Sequence, residues 1–159
     1  MRYAALLLLC VLLNLRCALA DHRPQRLEHD SFGKIVQAHR GEPFVVVLWS
    51  LDCEYCLESF KTLENAQRQT GLKVVSIATD RADDEQASKL IAEKIRSSGL
   101  QAESWAFGAA PAEKLRYVID PKWRGEMPRS YWFNREGQAA GYSGLITTAV
   151  VDRFQKKNK

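Results

Sequence analysis

The sequence predicts an α/β domain with a central mixed sheet flanked by helices, and three observations lead to this prediction. Residues 44–49 and 73–79 form apolar runs rich in β-branched side chains, as in strands that are buried on both faces. An amphipathic helical pattern separates the two runs, which implies parallel strands joined by a right-handed crossover. Two further short runs, 130–134 and 138–143, flank a turn at 135–137 and therefore predict an antiparallel hairpin.

The helices are predicted from apolar spacing together with residues that favour helix ends. A helix over about 53–69 follows the first strand, and Gly71 ends it. Another helix begins at Asp83 or Asp84 and ends at Gly99, and its apolar stripe is expected in the core. The stripe consists of Ala87, Leu90, Ile91 and Ile95. The remaining predicted elements are a helix from Ser31 that ends before Gly41, a short strand at 104–107, a helix at 111–117 and a final helix after Thr147. No regular element is predicted for residues 21–30, which are mostly polar.

The first 20 residues predict a secretory signal peptide. Arg2 precedes an apolar stretch, 3–13, and residues 18–20 provide the small-x-small end that signal cleavage requires. This apolar core of about 11 residues is too short to span a bilayer comfortably. We therefore expect a cleaved signal peptide at 1–20, a single domain at 21–159 and a periplasmic location.

Composition limits the class of partner and the class of chemistry. The chain has 159 residues, of which 23 are basic and 19 acidic, and two of the arginines lie in the predicted signal. The mature domain is therefore close to neutral, which favours neither nucleic acid nor an anionic membrane surface as a partner. Two of the four cysteines also lie in the signal, so Cys53 and Cys56 are the pair that remains. In an oxidising compartment, one closely spaced pair suits a working disulfide.

The spacing of Cys53 and Cys56 predicts a redox-active pair. A Cys-x-x-Cys at the carboxyl end of a buried strand, opening a helix, is the arrangement typical of such thiols. At a helix start, unpaired backbone N–H groups and the helix dipole favour the thiolate of Cys53, which is the nucleophile of disulfide exchange. Cys56, one turn later and facing inward, would then attack the mixed disulfide and release the partner.

Two other roles for the pair are less favoured by the sequence. A purely structural bridge over about four residues would remove only about 2 kcal/mol of unfolded-chain entropy, which makes this a poor position for the only bridge. A zinc site needs about four ligands, and the other candidates, His22, His29 and His39, lie upstream without ligand spacing. We therefore expect no metal and no other cofactor.

Residues 45–56, Val-Val-Val-Leu-Trp-Ser-Leu-Asp-Cys-Glu-Tyr-Cys, resemble the active-site strand and turn of the thioredoxin superfamily. Trp49 stands in the place of the family's tryptophan before the motif. Residues 125–133 and 134–138 resemble the family's cis-proline loop and final hairpin. Over residues 31–156 the chain is most similar to the branch of exported TlpA/ResA-like thiol-disulfide oxidoreductases.

The resemblance implies a thioredoxin-like fold with an extra strand and helix inserted before the cis-proline loop. About 48 residues separate Thr79 from Met127, a much longer segment than in plain thioredoxin. The resemblance also implies that Pro128 is cis and packs against the thiol pair. The backbone of Met127 and Pro128 would then bind an extended substrate.

The sequence departs from the family at the proton relay. The buried aspartate that thioredoxins carry on the active-site strand aligns here with Val47, and no other carboxylate precedes Asp52 on this strand. A relay must therefore be absent or supplied from elsewhere, and Glu126 is one candidate. The motif Cys-Glu-Tyr-Cys also lacks the proline that is common in reducing relatives.

Four residues near the pair are candidates for tuning its redox potential: Trp49, Asp52, Glu54 and Tyr55. Two carboxylates roughly 6 Å from a thiolate cost it about 0.7 kcal/mol each in a water-like dielectric. A helix N-terminus favours the thiolate by about 0.3–1 kcal/mol, so the two effects nearly cancel. We therefore expect Cys53 to titrate closer to an ordinary thiol than to a strongly acidic, oxidising one, and the pair to act as a reductant.

Three functions are compatible with these residues. The sequence favours an exported enzyme that reduces disulfides in other exported proteins, is kept reduced by a membrane thiol-disulfide electron donor, and is a monomer. The second is a copper-handling module, in which Cys53, Cys56 and Met127 offer soft ligands to Cu(I). The third is a thioredoxin-like interaction domain without catalysis.

Overall fold

A computed structural model describes residues 23–157, so the predicted signal peptide at 1–20 lies outside the described residues. The described chain forms a six-stranded sheet flanked by five helices. The strands are β1 (Gln25–Leu27), β2 (Phe44–Trp49), β3 (Lys73–Arg81), β4 (Ala102–Phe107), β5 (Arg129–Phe133) and β6 (Ala139–Ser143). The helices are α1 (Ser31–Ala38), α2 (Glu54–Thr70), α3 (Glu85–Ser98), α4 (Ala112–Ile119) and α5 (Thr148–Lys157).

The sheet is mixed, with the strand order β1-β4-β3-β2-β5-β6. Strands β1 to β4 run parallel to one another, whereas β5 is antiparallel to both β2 and β6. The predicted α/β class and the predicted hairpin are therefore confirmed. Because parallel strands end at the same edge, the turn after β2, the end of β3 and the beginning of β5 lie together at one edge of the sheet.

Strand β2 is buried on both faces, which explains why its sequence shows no polar alternation. Val45, Val47 and Trp49 face one core layer, which is closed by side chains of α2, α3 and α5. The alternate side chains of β2 face a second layer, which is closed by α1 and α4. All six residues of the strand are at most 1% exposed. The strand is thus a rigid support for the turn that follows it.

The inserted segment before the proline loop contains β4 and α4, as the resemblance implies. Strand β4 lies between β3 and β1 and extends the parallel part of the sheet. Helix α3 precedes the insertion and is capped at its N-terminus by Asp84, whose carboxylate accepts hydrogen bonds from the backbone N–H groups of Gln86 and Ala87. Across residues 23–157, no helix has both the length and the apolar character needed to cross a membrane.

The expectation that residues 21–30 form no regular element is wrong at 25–27. These three residues form the edge strand β1, which pairs with β4 from Gln25↔Trp105 to Leu27↔Phe107. The Leu27 side chain is 1% exposed and lies in the core layer closed by α1 and α4. A strand that buries one side chain is too short to produce a periodic pattern and therefore cannot be recognised from apolar spacing.

The expectation that Leu90 belongs to the core is also wrong. Leu90 is 38% exposed, while Ile91 and Ile95 are buried as expected. Helix α3 packs through Ser88, Ile91 and Ile95, which share one face at spacings of three and four residues. Leu90 is rotated about 100° from Ile91 on the helix and therefore falls at the margin of that face.

Candidate redox-active site

The cysteine pair lies in the turn between β2 and α2, at the edge of the sheet where the parallel strands end. A backbone hydrogen bond from Cys53 N to Ser50 O, 3.1 Å long, closes the turn after Trp49. Cys53 is the N-cap residue of α2 and has extended backbone angles. The N–H of Cys56 donates to the carbonyl of Cys53 at 3.1 Å, which begins the first helical turn.

Cys53 and Cys56 form a disulfide, with their Cα atoms 5.3 Å apart. The Cys56 side chain is fully buried in the core layer that also contains Trp49 and Phe60. Cys53 is partly exposed. This difference in exposure fits an attacking role for Cys53 and a resolving role for Cys56, and both roles remain predictions.

The loop before β5 brings the proline of the second motif to the same edge. The Met127–Pro128 peptide bond is cis, and Pro128 is buried. Strand β5 begins directly after it, with Arg129 paired to Leu48, so Pro128 lies across from the end of β2. Thr79 Oγ1, near the end of β3, donates to Met127 Sδ at 3.7 Å. The loop is therefore tied to both strands that support the cysteine turn.

Trp49 is a packed core residue. It is fully buried, its Nε1 donates to Ser76 Oγ at 2.8 Å, and its ring meets the Phe60 ring edge-on at a centroid distance of 4.9 Å. Ser76, a polar residue inside β3, is thereby satisfied. Any effect of Trp49 on the cysteines is consequently exerted through packing beneath the turn, and its predicted tuning role stays a prediction.

Asp52, Glu54 and Tyr55, the other candidate tuning residues, are all exposed around the disulfide. Tyr55, between the two cysteines, is 64% exposed. Among the described residues, 23–157, no side chain forms a hydrogen bond or ion pair with the carboxylates of Asp52 and Glu54. Their charges therefore face solvent beside the partly exposed residue Cys53.

Asp80 is a site residue that the sequence analysis missed. It lies at the end of β3, and its Oδ2 accepts a hydrogen bond of 2.9 Å from the backbone N–H of Leu51. The bond links β3 to the cysteine turn, and the carboxylate is half-buried there. A polar residue directly after a buried apolar run was the available signal, because β2 and β3 end at the same edge.

Glu126, the relay candidate, is engaged within its own loop. Its Oε1 accepts from Ser143 Oγ at 2.8 Å, and its Oε2 accepts from Arg124 N at 3.1 Å. Partial burial acts to raise the pKa of Glu126, but hydrogen bonds from its own backbone N–H, Ser143 and Arg124 outweigh it and lower the pKa. A carboxylate that stays ionised at neutral pH is a poor proton carrier.

Arg129, directly after the cis proline, anchors the loop to its surroundings. Its guanidinium contacts Asp120 Oδ2 at 3.1 Å and Ser143 Oγ at 2.8 Å, and it lies 4.8 Å from the centre of the Tyr131 ring. The Tyr131 hydroxyl donates to the same oxygen of Asp120 at 2.9 Å. Burial raises the pKa of Tyr131, so its hydroxyl keeps its proton at neutral pH.

The described residues contain no group of three or more histidine, cysteine, aspartate or glutamate side chains that could hold a metal ion. The arrangement at the sheet edge consists instead of a disulfide with one partly exposed cysteine, a cis proline loop and a carboxylate that braces the turn. Thiol-disulfide exchange is the chemistry that such an arrangement can perform.

Neither a family model nor a curated protein sequence matches this chain. Solved structures do resemble it. A secreted Mycobacterium tuberculosis disulfide oxidoreductase homologous to E. coli DsbE is 13% identical, with a TM-score of 0.58, and the match covers 76% of this chain and 85% of that protein. A thioredoxin-family thiol:disulfide interchange protein from Chlorobium tepidum is 17% identical, with a TM-score of 0.55 and coverages of 77% and 83%.

A DsbF homologue from Corynebacterium diphtheriae is 11% identical, with a TM-score of 0.61, and the match covers 77% of this chain and 75% of that protein. At these identities, the similarities establish the fold. The chain thus has the thioredoxin-like fold that its sequence resemblance predicts, and it carries a Cys-x-x-Cys disulfide at the carboxyl end of the central strand.

Proposed function

We propose that this protein is an exported thiol-disulfide oxidoreductase, of the protein-disulfide reductase type, that reduces disulfides in other exported proteins. The observation that carries the proposal is the Cys53–Cys56 disulfide, with one partly exposed and one buried cysteine beside a cis proline loop. Export is supported by the signal-like sequence of residues 1–20. We expect the protein to act as a monomer in the periplasm.

The proposed reaction starts from the dithiol form. The Cys53 thiolate attacks one sulfur of the client disulfide, a mixed disulfide forms, and the first client sulfur leaves as a thiolate that takes up a proton. Cys56 then loses its proton and attacks the Cys53 sulfur, which releases the second client sulfur. The client gains two electrons and two protons, and the protein is left as the Cys53–Cys56 disulfide.

A second partner must return the protein to its dithiol form. Two electrons and two protons are needed for each cycle. A partner dithiol can supply both by the same exchange reaction, in which the Cys53–Cys56 disulfide is the one that is reduced. We propose a membrane thiol-disulfide electron donor for this role, because an oxidising compartment does not keep such a pair reduced.

The client is proposed to bind as an extended segment along the backbone of Met127 and Pro128. Support comes from the position of this loop, which continues into β5 and is tied to β3 through the Thr79–Met127 contact. A peptide in extended conformation presents its backbone to such a loop while its disulfide faces Cys53.

The reducing direction is supported by the charges at the turn. Asp52 and Glu54 are exposed on either side of Cys53 and oppose the favourable effect of the helix start on the thiolate. A thiolate without net stabilisation leaves the dithiol form less favoured, so the pair is a better electron donor. The midpoint potential should therefore lie nearer to thioredoxin's value of about −270 mV than to about −120 mV.

One set of assays on the purified domain tests the proposal. With dithiothreitol as electron source, the protein should accelerate the reduction of insulin, and the Cys53→Ser variant should lose this activity. Equilibration with glutathione buffers should give the reducing potential stated above. Absence of insulin reduction would leave a non-catalytic interaction domain, and a potential near −120 mV would make the protein an oxidase. Tight, stoichiometric Cu(I) binding by the dithiol form would favour the copper-handling alternative.

A further inference from the structure

The surface around the disulfide carries an unusual group of exposed side chains. Asp52, Glu54 and Glu58 lie within three residues of Tyr55 in the sequence, at the beginning of α2, and all four are exposed. We name these four residues, together with Cys53, the redox face. The three carboxylates form neither an ion pair nor a hydrogen bond with any side chain between residues 23 and 157.

Several other exposed acidic residues of the described chain have cationic partners, whereas the carboxylates of the redox face have none. The paired residues are Asp30 with Lys34, Asp83 with Arg81, and Glu85 with Lys89. On α2 itself, Glu64 pairs with Arg68. Exposed carboxylates without an ion pair also occur singly elsewhere in residues 23–157, whereas three of them lie within residues 52–58, at the turn that holds the cysteines.

Helix stability does not account for this charge arrangement. A helix N-terminus attracts Glu54, which lies in its first turn, but the effect fades beyond that turn and gives Glu58 no comparable support. Glu54 and Glu58 are four residues apart, a spacing at which like charges repel. Lys61, three residues after Glu58, forms no ion pair with it within the described chain. The repulsion between the two glutamates thus offsets part of the stabilisation that Glu54 receives from the helix start, and both charges are left free.

Tyr55 provides a second and independent observation. Its side chain is 64% exposed between the two cysteines, although large aromatic side chains are usually buried. An exposed aromatic face attracts the cationic groups of lysine and arginine, and it is also a common anchor in protein interfaces. The carboxylates and the tyrosine ring therefore both attract the cationic side chains of lysine and arginine.

We propose that the redox face recognises disulfides whose cysteines are flanked by lysine or arginine residues. This inference rests on the proposed function and specifies its substrate class. A basic side chain next to the client's cysteine can lie against Tyr55 and between Glu54 and Glu58 while the client sulfur meets Cys53. Complementary charge of this kind mainly speeds the encounter between the protein and its client. The preference should therefore appear in the rate of exchange and decrease as the salt concentration rises.

The test uses three short disulfide-linked peptide dimers in which each cysteine is flanked by lysine, serine or glutamate. The reduced protein is freed of dithiothreitol, and its oxidation by each peptide is followed at low and high salt. Each rate is divided by the rate of the same peptide with dithiothreitol alone, which removes the peptide's own reactivity. The lysine peptide should react on the order of 10-fold faster than the glutamate peptide at low salt, and about 2-fold faster at about 1 M salt.

Matched variants test whether Glu54 and Glu58 cause the preference for basic peptides. In the Glu54→Gln/Glu58→Gln protein, the lysine-to-glutamate rate ratio at low salt should fall about threefold. The control is Glu42→Gln/Glu136→Gln. It removes two exposed charges, one just before β2 and one in the hairpin turn, at the edge of the sheet opposite the cysteines, and it should leave the ratio unchanged. A ratio cancels any change in the intrinsic reactivity of Cys53, so it reports recognition alone.

The outcomes separate the two proposals. Similar normalised rates for all three peptides, or an equal fall of the ratio in both variants, would refute the charge preference and leave the proposed function intact. If none of the peptides oxidised the dithiol protein, the proposed function itself would fail.

Discussion

At the residue scale, a contact at the ends of two strands holds the turn that leads to Cys53. Asp80 ends β3 and accepts a hydrogen bond from Leu51 N, in the middle of the turn that leads from Trp49 to Cys53. Trp49 supports the same turn from below through its bond to Ser76. Asp80 therefore positions the turn and adds a negative charge near the thiol, and these two effects can be separated by mutation.

We predict that Asp80→Asn and Asp80→Ala both lower the pKa of the Cys53 thiol, because each removes a negative charge near the thiolate. Only the alanine variant should be less stable, by about 1 kcal/mol, because asparagine retains a carbonyl oxygen that can accept from Leu51 N. Thiolate absorbance against pH measures the first effect, and urea unfolding of the oxidised protein measures the second. An unchanged thiol pKa in both variants would leave Asp80 with a purely structural role.

The positions of the cysteines and the proline loop could be predicted from sequence, whereas the contact between Asp80 and the cysteine turn could not. Cys53, Cys56 and Pro128 belong to short motifs whose chemistry or resemblance is visible without the fold. The contact between Leu51 and Asp80 spans 29 residues and exists only because β2 and β3 run parallel with a fixed register. A single sequence shows which strands are buried but does not show which polar side chains meet at their ends.

At the element scale, the predictability of each element follows the amount of side-chain burial it contains. The bounds of β2 were predicted correctly at 44–49, because six consecutive buried residues leave a continuous apolar run. Strand β1 buries one leucine and was missed. On α3, the apolar residues Leu90 and Ile91 are adjacent, and only the packing of the helix decides which of them faces the core.

Leu27 in β1 and Leu90 on α3 give a matched pair of predictions. Leu27→Ala should destabilise the protein by about 2–5 kcal/mol, because it removes a fully buried side chain that holds β1 against the core. Leu90→Ala makes the same chemical change on a side chain that is 38% exposed, and its effect should stay within about 0.5 kcal/mol. Urea unfolding of both oxidised variants provides the comparison. Equal losses in the two variants would place Leu90 in the core after all.

At the scale of the whole molecule, one polar cluster joins the inserted segment to the hairpin and the proline loop. Arg129 connects Asp120 at the end of α4 with Ser143 at the end of β6. Gly141 leaves room for this guanidinium, because a Cβ at that position would lie too close to it. The cluster fixes the loop from the side away from the cysteines, so its charge state affects the stability of the complete domain.

The charge of Asp120 should make part of that stability depend on pH. Partial burial acts to raise the pKa of Asp120, but hydrogen bonds from Lys122 N, Tyr131 and Arg129 outweigh it and lower the pKa below its ordinary value of 3.8. A carboxyl whose pKa is lower in the folded protein stabilises the fold above its unfolded pKa. This stabilisation is lost as the pH falls through the folded pKa.

We therefore predict that Asp120→Asn costs about 1–3 kcal/mol at pH 7, because Arg129 and Tyr131 lose a charged hydrogen-bond partner. The difference from wild type should shrink steadily below about pH 4, where the wild-type carboxyl becomes protonated as well. Urea unfolding of the oxidised proteins at several pH values measures this difference. Asp152→Asn, an exposed change on α5, is the control and should stay within about 0.5 kcal/mol throughout. A loss for Asp120→Asn that is the same at pH 7 and at pH 2.5 would mean that Asp120 acts through its shape and hydrogen bonds, without a contribution from its charge.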